Sequence, residues 1–356
     1  MSQTSTKRIL VTGGAGFIGS HLCEHLLDRG HQVWALDNFD DYYSPARKRR
    51  NLSDATSDPN LHLVEGDVRD SVLLGGLLSD VQMDAVVHLA ARPGLKSSID
   101  APDRCYDVNV RGTLRLLHAM QRNKPRRLVL ASSSSVYGEG SEAPFSEEES
   151  ADRPIAPLAA SKRSGELLTH SYHDLYGFSV HCLRLFTVYG PRQRPDLAIH
   201  RFARLLKSGD SVPLFGDGGS QRDYTFVSDA VRAIGLSLDR LTGPGEGEYE
   251  IINVGRGEPV ALEDLVDHLA TVMEVEPQIE WRPAEPGAMS VTFASGEKAR
   301  DLLGFVPEVG LKAGLERFVE WLRREPALPS LDPSENGSLT ETAMRAADSA
   351  PGPLPT

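Results

Sequence analysis

Cysteine is scarce in this chain, with three in 356 residues, and Cys23, Cys105 and Cys182 stand far apart with no metal-ligand spacing. That points away from a disulfide framework and from a cysteine-ligated metal site, and towards reduced thiols in a reducing compartment. Long apolar runs are missing as well: the hydrophobic stretches are strand-length, far short of a bilayer span. Lys7-Arg8 ahead of Ile9-Leu10-Val11 imitates the start of a signal peptide. Glycines follow it and no small-residue cleavage site does, so it reads as a first strand. Positive charge is in deficit, 38 Lys and Arg against 50 Asp and Glu, for a net charge of -12. This argues against nonspecific nucleic-acid binding while leaving room for a local basic pocket. The expectation is a cytoplasmic protein with neither nucleic-acid nor membrane partners.

What is present is a regular alternation. Arg8 to Thr12, Gln32 to Leu36, Leu61 to Val64, Ala85 to Leu89, Arg127 to Ala131 and Ser179 to Leu185 are short apolar strand candidates. Helical stretches lie between them, among them Ile18 to Arg29, Val108 to Gln121 and a helix from Pro157 to a stop at Gly177. Strands alternating with helices predict an α/β fold with a doubly wound parallel sheet over residues 1–185. Beyond that the texture turns to Pro/Gly-rich loops such as Gly216-Asp217-Gly218-Gly219 and Gly243-Pro244-Gly245. Amphipathic helices stand at Leu262 to Val272 and Leu311 to Arg323. Residues 186–324 are expected to form a smaller α/β substrate lobe interleaved with the first unit. Residues 325–356, rich in Pro, Ser and Glu without periodicity, are expected to be a disordered tail.

Thr12-Gly13-Gly14-Ala15-Gly16-Phe17-Ile18-Gly19 ends the first strand and opens the first helix. Gly13 suits a tight turn, Gly16 a close backbone approach to pyrophosphate, and Gly19 close helix packing. The helix N-terminus, with Phe17 and Ile18, offers N–H groups to phosphate. Asp37-Asn38 closes the second strand, where a carboxylate accepts hydrogen bonds from the adenosine ribose and repels a 2′-phosphate, so NAD is favoured over NADP. Asp67-Val68 closes the third strand and Leu89-Ala90-Ala91 the fourth, where small residues leave room for the cofactor.

With Asn109, the run Ser132-Ser133-Ser134-Ser135-Val136-Tyr137-Gly138 and Lys162, these motifs resemble the NAD-dependent epimerase/dehydratase family of extended short-chain dehydrogenase/reductases, over residues 7 to 323. Within it, Thr187-Val188-Tyr189-Gly190-Pro191-Arg192-Gln193-Arg194-Pro195-Asp196 is most similar to UDP-glucuronate 4-epimerases, with UDP-glucose 4-epimerases next. The resemblance implies a homodimer and a tightly held NAD that oxidises C4 of a UDP-sugar to a transient 4-keto sugar. It also implies that Asn109 and Lys162 lie at the cofactor, Ser133 and Lys162 being the catalytic serine and lysine.

The catalytic segment departs from the family at one point. Pro157-Leu158-Ala159-Ala160-Ser161-Lys162 resembles Tyr-x-x-x-Lys with leucine in the tyrosine position. Leucine neither gives nor takes a proton, and loss of a general base costs on the order of 10²–10⁴ in rate. Tyr137 is the nearest substitute; Tyr172 stands far along the helix. By resemblance Ser134, Ser135 and Thr187 contact the sugar carboxylate, with Arg184 and Lys96 as countercharges. Phe215, Arg222 and Arg282 serve the nucleotide diphosphate, and Pro286-Gly287-Ala288 departs from the family's Pro-Gly-Asp. Ser134-Ser135 stands where dehydratases carry Asp-Glu, which disfavours dehydration. Three readings stay open: an impaired 4-epimerase, a silent NAD- and nucleotide-sugar-binding protein, and a related decarboxylase-like enzyme.

Overall fold

Val-, Ile- and Leu-rich runs without polar alternation are suited to burial on both faces of a sheet. In the computed structural model, which describes residues 6–138, 140–243, 247–283 and 291–325, they are used in that way. The strands are β1 (Arg8–Thr12), β2 (Gln32–Asp37), β3 (Leu61–Glu65), β4 (Ala85–His88), β5 (Arg127–Ser133), β6 (Ser179–Leu185), β7 (Thr187–Tyr189), β8 (Val212–Phe215), β9 (Gln221–Phe226), β10 (Tyr249–Val254), β11 (Pro259–Ala261), β12 (Ile279–Arg282) and β13 (Val291–Thr292). The helices are α1 (Phe17–Asp28), α2 (Pro45–Asn51), α3 (Ser71–Asp80), α4 (Leu95–Asp100), α5 (Pro102–Tyr106), α6 (Thr113–Asn123), α7 (Pro157–Tyr176), α8 (Ala198–Ser208), α9 (Val227–Thr242), α10 (Leu262–Met273), α11 (Glu297–Leu303) and α12 (Leu311–Arg324).

Seven strands form one parallel sheet in the order β10-β6-β5-β4-β1-β2-β3. The chain winds outward from β1 in both directions, so a crevice opens beyond the carboxyl ends of β1 and β4, where the order reverses. One core joins β1, β2 and α1 (Ile9, Val11, Leu22, Leu26, Val33) to lobe residues Phe202, Leu265 and Phe318. The other face packs β4 to β6 against α3 and α6 through Leu74, Leu78, Leu116, Met120 and Val180.

The expected boundary at 185 is porous. After β7, β8 and β9 have built the lobe, α9 returns across the sheet and β10 pairs with β6, Tyr249 opposite Val180. The sheet therefore takes its seventh strand from the half read as lobe. β10 escaped notice because its neighbours are Gly/Pro-rich. The lobe itself holds a small sheet of β7, β9, β11 and β13 and a parallel pair, β8 and β12.

The helix expected from Val108 begins instead with a widened turn, Asp107–Gly112, before α6. There Thr113 Oγ1 donates to the Asn109 carbonyl at 2.6 Å, the kind of side-chain insertion that accompanies a π-bulge. α7 starts with Pro157 in its first turn and ends where Gly177, at φ 65°, takes the left-handed cap. No described helix is long and apolar enough to cross a membrane. The expected tail lies outside the described residues apart from Glu325, which meets Arg47 and Arg50 just past α12.

Candidate functional site

A cleft of about 400 Å³ lies at the carboxyl ends of the sheet strands. Of the residues expected at the cofactor, Gly13, Gly16, Phe17, Ile18, Gly19, Asp37, Asn38, Asp67, Val68, Leu89, Ala90, Ala91 and Lys162 all line it. The glycines are there for room. Gly13 sits at φ 70°, and a Cβ on it would stand 2.8 Å from the Ala90 nitrogen; a Cβ on Gly19 would stand 2.0 Å from the Gly13 carbonyl oxygen. The first turn of α1 is capped by no side chain, so its N–H groups remain for an anion.

The β2 end carries most of the charge. Asp37 accepts from Ala15 N at 3.1 Å and Phe39 N at 2.9 Å. Burial pushes its carboxyl above the usual range, opposed by Lys48 and by those two N–H groups. Lys48 Nζ lies 4.0 Å from Asp37 Oδ1 and donates to the Asp40 carbonyl at 2.8 Å. Its ring neighbour Tyr43 lines the cleft and has a buried hydroxyl with no partner among the described residues. A glycine cradle, a buried carboxylate, a buried ammonium and an orphaned hydroxyl together fit a dinucleotide. Sequence reasoning missed Lys48, Tyr42, Tyr43, Arg92 and Arg194. Their spacing from the motifs has no period, and only folding three separate loops over the cleft brings them together. Tyr42 then sits beside Arg92 and Arg194, at 4.8 and 5.8 Å, with its hydroxyl donating to Asp196 at 3.2 Å.

Beneath Leu89-Ala90 lies a hydrogen-bonded chain. The Thr113 hydroxyl is committed to Asn109, so it accepts from His88 Nε2 at 3.0 Å, and Nδ1 accepts from Thr12 Oγ1 at 2.6 Å. This fixes a neutral imidazole, and burial pushes His88 down to about 3.

The reactive end is built by β5, α7 and β7. Ser133, Ser134, Leu158, Lys162 and Thr187 all line it. Ser133 Oγ accepts from both the N–H and the hydroxyl of Ser135, at 3.2 and 2.9 Å, so its own proton is free to point elsewhere. Lys162 Nζ donates to the Ala131 carbonyl at 2.7 Å. Burial pushes its ammonium down to about 8, opposed by Cys105 and Glu166.

Three expected site residues stand one layer back. The Asn109 amide is committed to Arg92 N and O and to Ser161, and it lies outside the cleft lining. Ser135 acts on Ser133 rather than on the cleft. Tyr137 is no substitute base: its hydroxyl donates to Asn253 at 2.7 Å inside a buried aromatic cluster, and burial pushes it up to about 12. Tyr172 is buried against Phe178 and Tyr176.

Of the expected substrate residues, Ser134 and Thr187 line the cleft, whereas Phe215, Arg222 and Arg282 stand on the lobe outside it. Phe215 and Arg282 face each other in register across β8 and β12, and Arg282 bonds Glu280 at 3.0 Å. Arg222 is on β9, donating to the Gln221 carbonyl at 2.8 Å. Arg184 is no countercharge for a ligand, being buried in an ion pair with Glu166. Lys96 is on α4, outside the lining, and Pro286-Gly287-Ala288 lies outside the described residues. No cluster able to hold a metal occurs among the described residues.

The family model described as "NAD dependent epimerase/dehydratase family" matches residues 9–255. A UDP-glucuronate 4-epimerase of Thermodesulfobacterium geofontis is 37% identical over 313 residues, covering 88% of this chain and 95% of that one. The crystal structure of UDP-glucuronic acid 4-epimerase from Bacillus cereus, in complex with UDP-glucuronic acid and NAD, superposes with a TM-score of 0.82 at 34% identity. That match covers 89% of this chain and 99% of that one. A UDP-glucose 4-epimerase of Thermotoga maritima, solved with UDP-glucose, gives 0.80 at 30% identity with the same coverage.

Proposed function

The chain belongs to the NAD dependent epimerase/dehydratase family, and on that premise we propose that it is an NAD-dependent UDP-sugar 4-epimerase acting on UDP-glucuronate. One observation carries the reading: the glycine cradle, Asp37, Ser133, Lys162, Ser134 and Thr187 converge on a single cleft. Asp37 and Lys48 hold the adenosine ribose, the first turn of α1 the pyrophosphate, and Lys162 the nicotinamide ribose. When bound, NAD supplies a reversible hydride acceptor for C4 of the sugar. Ser133 gives its free proton as a hydrogen bond to O4, and the hydroxyls of Ser134 and Thr187 hold the carboxylate. Phe215, Arg222 and Arg282, on the lobe, receive the nucleotide diphosphate.

Two finer points accompany this reading. The protein works as a homodimer, because α4, α5 and α7 leave Ile99, Tyr106 and Leu167 exposed on neighbouring elements. It works in the cytoplasm, where three buried, unpaired cysteines stay reduced.

Leu158 favours a second reading, a silent binding protein on an epimerase scaffold. Incubation of UDP-glucuronate, UDP-glucose and UDP-galactose with the NAD-loaded protein, followed by chromatographic separation of the C4 epimers, decides between them. Equilibration of UDP-glucuronate with its C4 epimer is expected, with Leu158→Tyr faster by on the order of 10²–10⁴. Tight binding of NAD and UDP-sugar without any product from the native chain supports the silent reading.

A further inference from the structure

Leu158 removes the family's phenol, and what remains around it narrows the proton acceptor to one group. The aliphatic hydroxyls of Ser133, Ser134 and Thr187 ionise far too weakly to serve as bases. Ser132 is spent on Glu166, with Oγ 2.5 Å from Oε1. Tyr137 is buried on Asn253. Tyr42, Tyr43, Asp37, Asp40, Lys48 and Asp67 belong to the β2 and β3 side of the cleft, across β1 and β4 from β5, and the guanidinium groups of Arg92 and Arg194 do not deprotonate. Lys162 alone, among the described residues, places an ionisable atom on the wall that Leu158 and Ser133 share.

Its placement is specific. Positions 158 and 162 are one turn apart on α7 and both face the cleft. Lys162 Nζ is tethered to the Ala131 carbonyl. Ser133, two residues further along the same strand, lines the same cleft, and its hydroxyl proton is uncommitted. The leucine side chain ends short of where a phenol oxygen would stand, which leaves space between the lysine and the oxygen that Ser133 addresses.

We propose that Lys162 Nζ is itself the acid–base group for the sugar O4 in this protein. The proposal rests on the 4-epimerase reading. In the oxidising half, the O4–H bond breaks and its proton passes to the lone pair of neutral Nζ. The C4–H electron pair leaves as hydride, for which NAD is the acceptor, and a C4=O bond forms. In the reverse half, the ammonium returns the proton to O4 as C4 regains hydride on the opposite face, so protons and electrons balance over the cycle. While neutral, the amine keeps an N–H for Ala131 and turns its lone pair to the cleft.

The surroundings of Lys162 bring its neutral amine within easy reach of physiological pH. From α7 it is faced by Glu166, which Arg184 and Arg163 already neutralise. From α5 it is faced by Cys105, from β4 by neutral His88, and from β5 by the Ala131 carbonyl. Burial without a dedicated counterion pushes the ammonium down to about 8.

The test uses the full-length native protein, Lys162→Arg and Leu158→Tyr, freed of NAD for the affinity measurement and loaded with NAD for the others. Arginine keeps the positive charge for the ribose but does not deprotonate. Three quantities are read: NAD affinity by calorimetry, the pH dependence of Lys162 acylation by acetic anhydride, located by mass spectrometry, and epimerisation of UDP-glucuronate from pH 6 to 10. The expected results are acylation and native turnover that rise together with a midpoint at about pH 8. Lys162→Arg should hold NAD within a few-fold of native yet lose turnover by on the order of a hundredfold or more. Native-like turnover in Lys162→Arg overturns the proposal, as does a Lys162 acylation midpoint above pH 10. Turnover by Leu158→Tyr with none by the native protein also overturns it, while leaving the scaffold an epimerase. Absence of turnover in both, with NAD bound, defeats the 4-epimerase reading itself.

Discussion

Glu166 and Arg184 meet behind the reactive wall in a two-pronged ion pair, with Nε–Oε1 at 3.0 Å and Nη2–Oε2 at 2.9 Å. Neither side chain is more than 1% exposed. Burial works against ionisation of Glu166, yet Arg184, Ser132 and Arg163 together hold it below the usual carboxylate range. The Arg184 guanidinium also stacks on Tyr137 at 4.6 Å. One pair thus ties α7, β5, β6 and the serine turn together.

Removing one partner from such a pair strands a charge, which typically costs about 3–5 kcal/mol. Arg184→Met is expected to lower unfolding free energy by about that amount in urea titrations. The double change of Glu166→Leu with Arg184→Met should recover most of the loss, because both buried charges go together and Arg163, the carboxylate's other partner, is partly exposed and reaches solvent. An Arg184→Met protein within about 1 kcal/mol of native would show that the pair is not buried as described.

Gly19 and Gly75 form a matched pair of helical glycines. A Cβ at Gly19 would overlap the Gly13 carbonyl at 2.0 Å, whereas one at Gly75 meets nothing within 4 Å. Gly19→Ala must push α1 off the glycine turn, and a loss of NAD affinity of roughly tenfold or more is expected in fluorescence titrations. Gly75→Ala should leave binding alone and stabilise α3 by about 0.5–1 kcal/mol. Equal NAD affinity in both variants would remove the cradle from the cofactor site.

The glycine turn and Asp37 were legible in the sequence because their chemistry is local: a strand, a turn and a helix start within a dozen residues. Strand periodicity located β1 to β6 to within two residues at either end for the same reason. Tertiary commitment was not legible. Arg184 reads as a free cation until β6 lies against α7 and Glu166 claims it. Tyr137 reads as a spare phenol until β10 brings Asn253 to its hydroxyl. β10 is itself the strand that the composition of the second half concealed. Lys48 and Tyr43 join the site only because the loop after β2 and the short helix α2 fold back over Asp37, a closure no spacing encodes.

His88 gives a pH dependence of defined sign. Its folded-state value, about 3, lies below the ordinary 6.5 because burial disfavours the imidazolium. Between those limits the unfolded chain binds the proton and the folded one does not. The contribution is therefore fully present above about pH 6.5 and is lost as pH falls towards 3. His21 and His200, both pushed down to about 4 chiefly by burial, act in the same direction. Unfolding free energy should fall with acidification from pH 6.5 to 4.5. His88→Gln, measured by urea titration at each pH, should reduce that slope by up to about 1.4 kcal/mol per pH unit. An unchanged slope would mean that His88 is protonated in the folded protein.

The exposed face of α4, α5 and α7 bears on assembly. Leu167 is 55% exposed and Ile99 47%, and Tyr106 and Leu95 are exposed beside them. Large apolar side chains gathered on adjacent helices are costly to leave in water, and an isologous contact buries both copies of the patch at once. α7 also carries Lys162 and Leu158, so pairing through it would brace the reactive wall. Light scattering should give a mass twice 38.8 kDa for the native chain. The combined change of Leu167→Glu with Ile99→Glu should give the monomer mass, because it places carboxylates where the two copies meet. Both residues point away from the core, so that monomer should remain folded by circular dichroism while losing NAD retention or thermal stability. A native chain that scatters as a monomer at tens of micromolar would sink the dimer. A charged variant that stays dimeric would move the interface to another face.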